Sequence, residues 1–222
     1  MIVTDEQALA YDVQSYITQQ ALAALKLSPR NMLSLFHETG AKGEVGVVVS
    51  LTGTGTRAGV AQALRLSSGA SGNAALGVTI ASSGPSPEVV KAGAAKKFWL
   101  AGRFSLGGTT HVSGDLVGVT LFDNVGVTSM IIGVRGASST ANFVAYGTAG
   151  TFINSGIPFD TNKHIHRVWR DGATTYYQID DNPPVSGDAR PNVDSSPGAI
   201  ALSAAADRTV DINWLHCATE LE

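Results

Sequence analysis

Alternation of apolar and polar residues with a period of two dominates the chain from about residue 97 onward. In residues 98–106, Phe98, Leu100, Gly102, Phe104 and Leu106 fall on one face of a strand. Similar segments, separated by turn residues, occur at 45–51, 60–66, 76–80, 116–122, 129–135, 142–146, 150–153, 199–203 and 210–217. Short strands at this even spacing predict a mainly β protein, built as an antiparallel sandwich or barrel.

The most distinct of these segments is a hairpin. Residues 164–169 alternate, Asp171 and Gly172 supply a tight turn, and residues 174–179 are rich in β-branched and aromatic side chains. The following Asp-Asp-Asn-Pro-Pro stretch ends the second strand, because proline cannot donate to a ladder. We therefore expect two neighbouring strands here.

A different period opens the chain. Residues 4–7 have the form of a capping box, and Leu9, Val13, Tyr16, Ile17 and Leu25 recur at helical spacing. They predict one amphipathic α-helix over residues 5–26. Such a helix packs either on its own domain or, as an arm, on symmetry mates or a host scaffold. The predicted organisation is a helical arm (1–28), a connector that docks on the sheet (29–44), a β-sandwich domain (45–220) and a possible cloning scar (221–222).

Composition narrows the range of partners. The chain has 222 residues, of which only 15% are charged, and its net charge is −3. No attraction to nucleic acid is expected from this charge. A surface rich in small polar residues suits extracellular, virion or oligomer-forming proteins. No leader and no apolar run of about 18 residues is found, so we expect no membrane span and assembly in a cytosol. Cys217 has no intrachain partner for a disulfide.

The order of the strands resembles a known family. The sequence has, in order, an aromatic-led strand at Phe98 and Trp99, a glycine-flanked strand at 116–122, the HxHRVWRDG and TTYYQIDDN segments and a closing VDINWL strand. Together these features are similar to the concanavalin A-like, laminin-G-type jelly roll. The resemblance covers about residues 97–219. It implies a two-sheet sandwich whose concave face or loop rim binds glycans, calcium or protein.

Hydrolases of that family carry a Glu-x-Asp-x-x-Glu strand, which this sequence lacks. Cleaving a glycoside requires two carboxylates about 5–10 Å apart across the sugar. The remaining carboxylates, among them Asp180, Asp181 and Asp211, have no evident partner, and no Gly-x-Ser-x-Gly elbow is present. We expect no enzymatic activity and no cofactor, with a glycan-cleaving enzyme as the least favoured alternative.

Histidines and carboxylates form the candidate metal sites. His164 and His166 lie on one strand face about 7 Å apart, so that His111, Asp160 or His216 would have to supply a third ligand. The alternative is a solvated strand face. Calcium would need a cluster of oxygen ligands. Asp180, Asp181 and Asn182 with Asp188, Asp194 and Asp207 offer such oxygens, although capping of turns is the simpler role.

Aromatic residues are the candidate contacts for a ligand. The strand aromatics Trp99, Trp169 and Trp214 suit either a core or stacking on sugars. Alternation places Tyr176 and Tyr177 on opposite faces of their strand, so one of the two is expected to be exposed. With Asp180 and Asp181 they form the predicted ligand-binding set.

The helix, the low charge and the absence of a catalytic motif are also similar in style to tailed-phage virion proteins such as decoration proteins, head fibres and tail-tip modules. The leading expectation is a non-enzymatic virion protein that forms a homo-oligomer, with a trimer favoured, and attaches to a capsid or tail protein. It would present its sandwich to a surface glycan. The alternative is a carbohydrate-binding, lectin-like adhesion module.

Overall fold

A computed structural model of the chain describes residues 5–38, 47–52, 54–60, 63–78, 90, 92–93, 95–123 and 128–221. One helix, α1 (Asp5–Leu25), is followed by a 3₁₀ turn at Pro29–Asn31. The described strands are β1 (Met32–Glu38), β2 (Val47–Thr52), β3 (Thr56–Val60), β4 (Ala63–Ser67), β5 (Gly72–Val78), β6 (Lys97–Leu106), β7 (Leu116–Phe122), β8 (Thr128–Arg135), β9 (Asn142–Gly147), β10 (Phe152–Pro158), β11 (His164–Asp171), β12 (Thr175–Ile179), β13 (Val185–Gly187), β14 (Ser196–Ser203) and β15 (Thr209–Glu220).

Two sheets build the body of the molecule, and every described strand pairing is antiparallel. Sheet A has the order β13-β12-β11-β6-β15-β4-β3, and β1 pairs with the second half of β15. Sheet B has the order β10-β9-β8-β7-β14-β5-β2. The predicted jelly-roll sandwich with an N-terminal helix is confirmed.

Strand β6 shows how the sequence pattern divides the core. Phe98, Leu100 and Phe104 point between the sheets into the main core, as their alternation predicts. Trp99, on the opposite face, points toward α1. A Cβ on Gly102 would lie 2.5 Å from Cγ2 of Val119, so this position admits only glycine while the facing side chain keeps its place.

Helix α1 packs on the outer face of sheet A. Ile17 and Leu25 are fully buried against Trp99 and Trp214. Gln20 accepts a hydrogen bond of 3.1 Å from Nε of Arg167 on β11. Apolar side chains on that sheet face supply the partner for the helix, and tertiary packing of this kind is what stabilises a helix of this length.

The apolar stripe of α1, which could pack on its own domain or on a partner, is therefore divided between these two roles. Ile17 and Leu25 pack in cis, and Val13 borders the same cluster, which agrees with the alternative of a helix held on its own domain. Tyr16 remains 57% exposed and is the described member of the stripe still able to meet a partner. The cap residue Thr4 and the side chain of Leu9 lie outside the described residues.

The predicted connector contains a strand. Met32–Glu38 is β1, paired in register with β15 from Glu220 to Trp214. Two edge strands were not among the predicted segments: the exposed strand β3, most of which precedes residue 60, and β13, which follows the two prolines after β12. An edge strand needs little apolar patterning, because much of its surface faces solvent. Sheet A therefore includes part of the predicted connector, from Met32 to Glu38.

Candidate functional site

The two tyrosines of β12 have different roles. Tyr177 is fully buried in the core, and its hydroxyl lies 2.8 Å from Nδ1 of His166. Tyr177 is therefore unavailable to a ligand, contrary to its place in the predicted binding set. Tyr176 is half-buried on the outer face of sheet A, so one tyrosine of the pair is accessible, as alternation predicts.

Tyr176 belongs to a row of aromatic rings across three neighbouring strands. Cross-strand register aligns Trp99, Trp169 and Tyr176 on β6, β11 and β12. The rings of Trp169 and Tyr176 are 5.3 Å apart at an interplanar angle of 19°, and those of Trp99 and Trp169 are 6.0 Å apart. Trp99 is buried beside α1, whereas Trp169 and Tyr176 are only half-buried. These two rings form a small aromatic surface, here called the Trp169–Tyr176 surface.

His164 is held between two carboxylates. Its Nδ1 lies 2.5 Å from Oδ2 of Asp180, and its Nε2 lies 2.9 Å from Oδ1 of Asp160. Burial opposes protonation of the ring, but the hydrogen bonds and charges of Asp180 and Asp160 prevail and raise the pKa of His164. Both nitrogens are thus engaged, and the ring links the loop before β11 to the turn after β12.

His166 is a core residue. It is fully buried, stacks on Phe104 at 4.2 Å and contacts Tyr177. Burial lowers its pKa well below the usual value, so the ring is neutral. Both expectations for His166, a metal ligand and a residue on a solvated strand face, are therefore wrong. Within the described residues no three histidine, cysteine or acidic side chains converge as a metal site. His111 and His216 do not join His164 and His166 in such a group.

The other predicted acidic ligands serve the structure. Asp180 has φ of 50° and accepts the Ile165 backbone N–H at 2.8 Å, as a turn residue does. Asp188 pairs with Arg170 at 2.9 Å, and Asp194 accepts the backbone N–H of Ala92 at 2.7 Å. Turn capping by Asp180 and Asp194 and ion pairing by Asp188 describe these contacts, rather than a calcium cluster.

Asp181 is the exposed member of the predicted acidic set and lies beside Asp180 in the turn after β12. Among the described residues it forms no hydrogen bond or ion pair. Its carboxylate is therefore open to solvent, without the surrounding oxygen ligands that a cation would need.

A polar cavity was missed by the sequence patterns. It lies at one end of the sandwich, between the loop after β6 and the loop before β15, and has a volume of about 180 Å³. Its walls are Gly107, Gly108, Thr109, Thr110, His111, Asp207, Arg208 and Thr209. The two loops are about a hundred residues apart in the chain, so local spacing carries no signal of their meeting.

Behind this cavity lies a buried charged cluster centred on Asp115, which is fully buried. Oδ2 of Asp115 lies 2.6 Å from Nε of Arg208 and 3.0 Å from the backbone N of Val112, and Oδ1 accepts the Ser203 hydroxyl at 2.7 Å. Burial opposes its ionisation, but hydrogen bonds from Ser203, Val112 and Arg208 together lower the pKa of Asp115. The cluster therefore stays ionised and joins both loops.

His111 completes that cluster. Its Nδ1 lies 3.2 Å from Oδ2 of Asp115, and its Nε2 lies 3.2 Å from the carbonyl oxygen of Gly108. Burial, together with the nearby charge of Arg208, lowers the pKa of His111 despite the opposing effect of Asp115. A neutral ring has one N–H, and the charged oxygen of Asp115 is the stronger acceptor. We therefore assign the proton to Nδ1.

No helix in the described part of the chain is both long and apolar enough to cross a bilayer. Neither a protein-family model nor a curated protein sequence matches the chain.

Solved structures with the same fold exist. A protein of unknown function from Shewanella oneidensis MR-1 superposes with a TM-score of 0.58 at 9% identity, covering 100% of this chain and 96% of that one. A carbohydrate esterase from the Shiga toxin-encoding bacteriophage phi24B gives 0.50 at 13% identity, covering 78% and 90%. Trypanosoma rangeli sialidase, in complex with sialic acid, gives 0.53 at 13% identity, covering 96% of this chain and 36% of the enzyme. At these identities the shared property is the fold, a jelly-roll β-sandwich.

Proposed function

We propose that the chain is a non-enzymatic virion component that attaches to a capsid or tail and presents a lectin-like β-sandwich. The observation that carries the non-enzymatic part is the state of three carboxylates in the described part of the chain. Asp115, Asp180 and Asp188 already bind arginine, histidine or backbone N–H groups. Glycoside hydrolysis needs a pair of carboxylates free to act on the bond and on water. Carboxylates engaged as these are favour binding over catalysis.

Two further observations support the virion part of the proposal. Only 15% of residues are charged, which suits a surface that packs against other subunits. A protein from a bacteriophage has the same fold over 90% of its length. Tyr16, exposed on α1, is the described residue that we assign to attachment.

Size-exclusion chromatography with light scattering tests the assembly. The full chain is expected to run as a homo-oligomer of 22.9 kDa subunits, with a trimer favoured. Mass spectrometry of density-gradient-purified particles from the source phage or prophage then tests attachment, and the protein is expected in the particle fraction. A strict monomer that is absent from particles would contradict the proposal.

Carbohydrate binding is the second candidate, favoured by the Trp169–Tyr176 surface. Stacked, half-exposed rings offer an apolar face with polar edges, on which the flat face of a sugar ring can pack. A Tyr176→Ala variant is expected to weaken glycan binding at least about tenfold, equivalent to about 1.4 kcal/mol. Binding is measured on a glycan array and then by titration, with and without calcium.

The matched control is Tyr146→Ala. Tyr146 is also a half-buried tyrosine, but it lies on β9 in sheet B with the guanidinium of Arg135 3.6 Å above its ring. Its removal deletes the same side chain without changing the Trp169–Tyr176 surface. An array without any bound glycan, or equal losses in both variants, would count against this candidate.

A further inference from the structure

The polar cavity between the β6–β7 loop and the β14–β15 loop is built on a rigid frame. A Cβ on Gly107 would lie 1.6 Å from Oγ1 of Thr209, and the Gly107 backbone N donates to the Thr209 carbonyl at 2.9 Å. The backbone N of Arg208 donates to the Ser68 hydroxyl at 2.9 Å. These contacts fix both loops at their closest approach. The walls of the cavity are thus held in place before any ligand arrives.

Arg208 is positioned by the buried Asp115 cluster. Its Nε–H donates to Oδ2 of Asp115 at 2.6 Å, which orients the plane of the guanidinium. Its two terminal nitrogens have no hydrogen-bond partner within the described residues, and the side chain, which is 14% exposed, lines the cavity. Four N–H donors are therefore available to a ligand.

Asp207 supplies an acceptor on the same rim. Its Oδ1 accepts the Ser67 hydroxyl at 2.6 Å and the backbone N–H of Gly69 at 3.0 Å. Its Oδ2 has no hydrogen bond within the described residues. Thr109, Thr110 and Thr209 also line the cavity, and hydroxyl groups both donate and accept. The lining therefore combines free donors, a free acceptor and groups that can be either.

The charges of the lining disfavour an anion and a metal ion. Asp115 offsets the positive charge of Arg208, and Asp207 would repel an anion. A metal ion would find one carboxylate beside a guanidinium, which is not a cation site. Hydroxyl groups of a neutral ligand can satisfy both the donors and the acceptor, and a volume of about 180 Å³ is small for a drug-sized ligand.

We propose that this cavity binds one neutral, polyhydroxylated ring, namely the terminal monosaccharide unit of a glycan. Arg208 donates to the ring hydroxyls, Asp207 accepts from a neighbouring hydroxyl, and the threonines complete the contacts. The inference rests on the carbohydrate-binding function proposed above, but its residues are separate from the Trp169–Tyr176 surface.

Saturation-transfer NMR on the full chain tests the site. The probes are methyl glycosides of neutral hexoses and N-acetylhexosamines at millimolar concentration, together with glucuronate and glucosamine as charged analogues. At least one neutral glycoside is expected to bind. Gly108→Val is expected to weaken that binding at least tenfold, because Gly108 lines the cavity and a Cβ there meets no atom within 4 Å, so the added side chain fits without strain and occupies space at the cavity rim.

Gly114→Val is the matched control. Gly114 lies in the same β6–β7 loop, a Cβ there also meets no atom within 4 Å, and it does not line the cavity. Its binding and its unfolding temperature should match those of the wild type. Absence of signal from every neutral probe, binding of charged analogues alone, or unchanged binding in Gly108→Val would overturn the proposed site. Glycan binding by Tyr176→Ala is measured in a separate titration. Failure of the cavity site can therefore be distinguished from failure of the Trp169–Tyr176 surface.

Discussion

Replacing Asp115 by alanine is expected to lower the free energy of unfolding by about 3–5 kcal/mol, the usual loss when one partner of a buried ion pair is removed. Asp115 is fully buried and accepts hydrogen bonds from Arg208, Ser203, Val112 and His111. Without it, the charge of Arg208 and three neutral donors lose their acceptor where water has little access. Two loops would then lose their common anchor.

Urea denaturation followed by tryptophan fluorescence measures this loss. Asp211→Ala is the control, since Asp211 also binds an arginine, with Nε of Arg65 2.6 Å away, but that arginine side chain is 46% exposed. Solvent screens such a pair, so its removal should change stability by about 0–1 kcal/mol. Similar losses in the two variants would show that Asp115 does not hold the loops as described.

Acidification from pH 7 to pH 5 is expected to destabilise the fold through its buried histidines. Burial lowers the pKa of His216 to about 4, against about 6.5 in an unfolded chain. Below pH 6.5 the unfolded chain therefore binds a proton that the folded ring refuses, and stability falls with pH until about 4. His216 alone accounts for about 2 kcal/mol at pH 5 and about 3 kcal/mol at pH 4.

His166 and His111 act in the same direction, because burial lowers the pKa of each. His164 acts oppositely. Its pKa is raised, so the stability it adds is fully present below pH 6.5 and is lost as the pH rises through its folded pKa. Three buried neutral histidines thus oppose one histidine that is held by carboxylates. We therefore expect the free energy of unfolding to fall, on balance, as the pH falls.

Urea titrations at pH 7, 6 and 5 measure that slope. His216→Gln removes one titrating ring, so the loss between pH 7 and pH 5 should shrink by about 2 kcal/mol relative to wild type. His164→Gln should enlarge the loss instead. Identical slopes in all three proteins would mean that these rings do not titrate as their burial and partners indicate.

Strong alternation allowed the central strands to be predicted from sequence. The inward and outward faces of β6 follow directly from the spacing of Phe98, Trp99 and Leu100. β1 and β3 were missed for a physical reason. β3 is exposed at the edge of sheet A, so burial did not select for an apolar face. β1 follows α1 after a 3₁₀ turn, and its apolar residues Met32, Leu33, Leu35 and Phe36 were equally consistent with a connector.

Chemistry was harder to predict than fold. His166 was expected in solvent or on a metal because histidine is polar, yet it shares the inward face of β11 with Val168 and forms part of the core. Tyr177 provides the hydrogen bond that makes this burial possible. The meeting of Asp115 with Arg208 depends on tertiary structure, since their segments are distant in the chain. Residue type and spacing alone do not contain that information.

The position of β15 has a consequence for how the protein acquires its structure. This strand pairs with β6 on one side and with β4 and β1 on the other. A strand near the end of the described chain therefore connects the first strand, β1, to β6 in the middle of the chain. Contacts between segments so distant in sequence cost loop-closure entropy, and this cost precedes the favourable free energy of packing. We therefore expect slow refolding, on the millisecond-to-second scale of β-sandwiches. Until β15 is inserted, the open edge of β6 would be exposed to pairing with other chains.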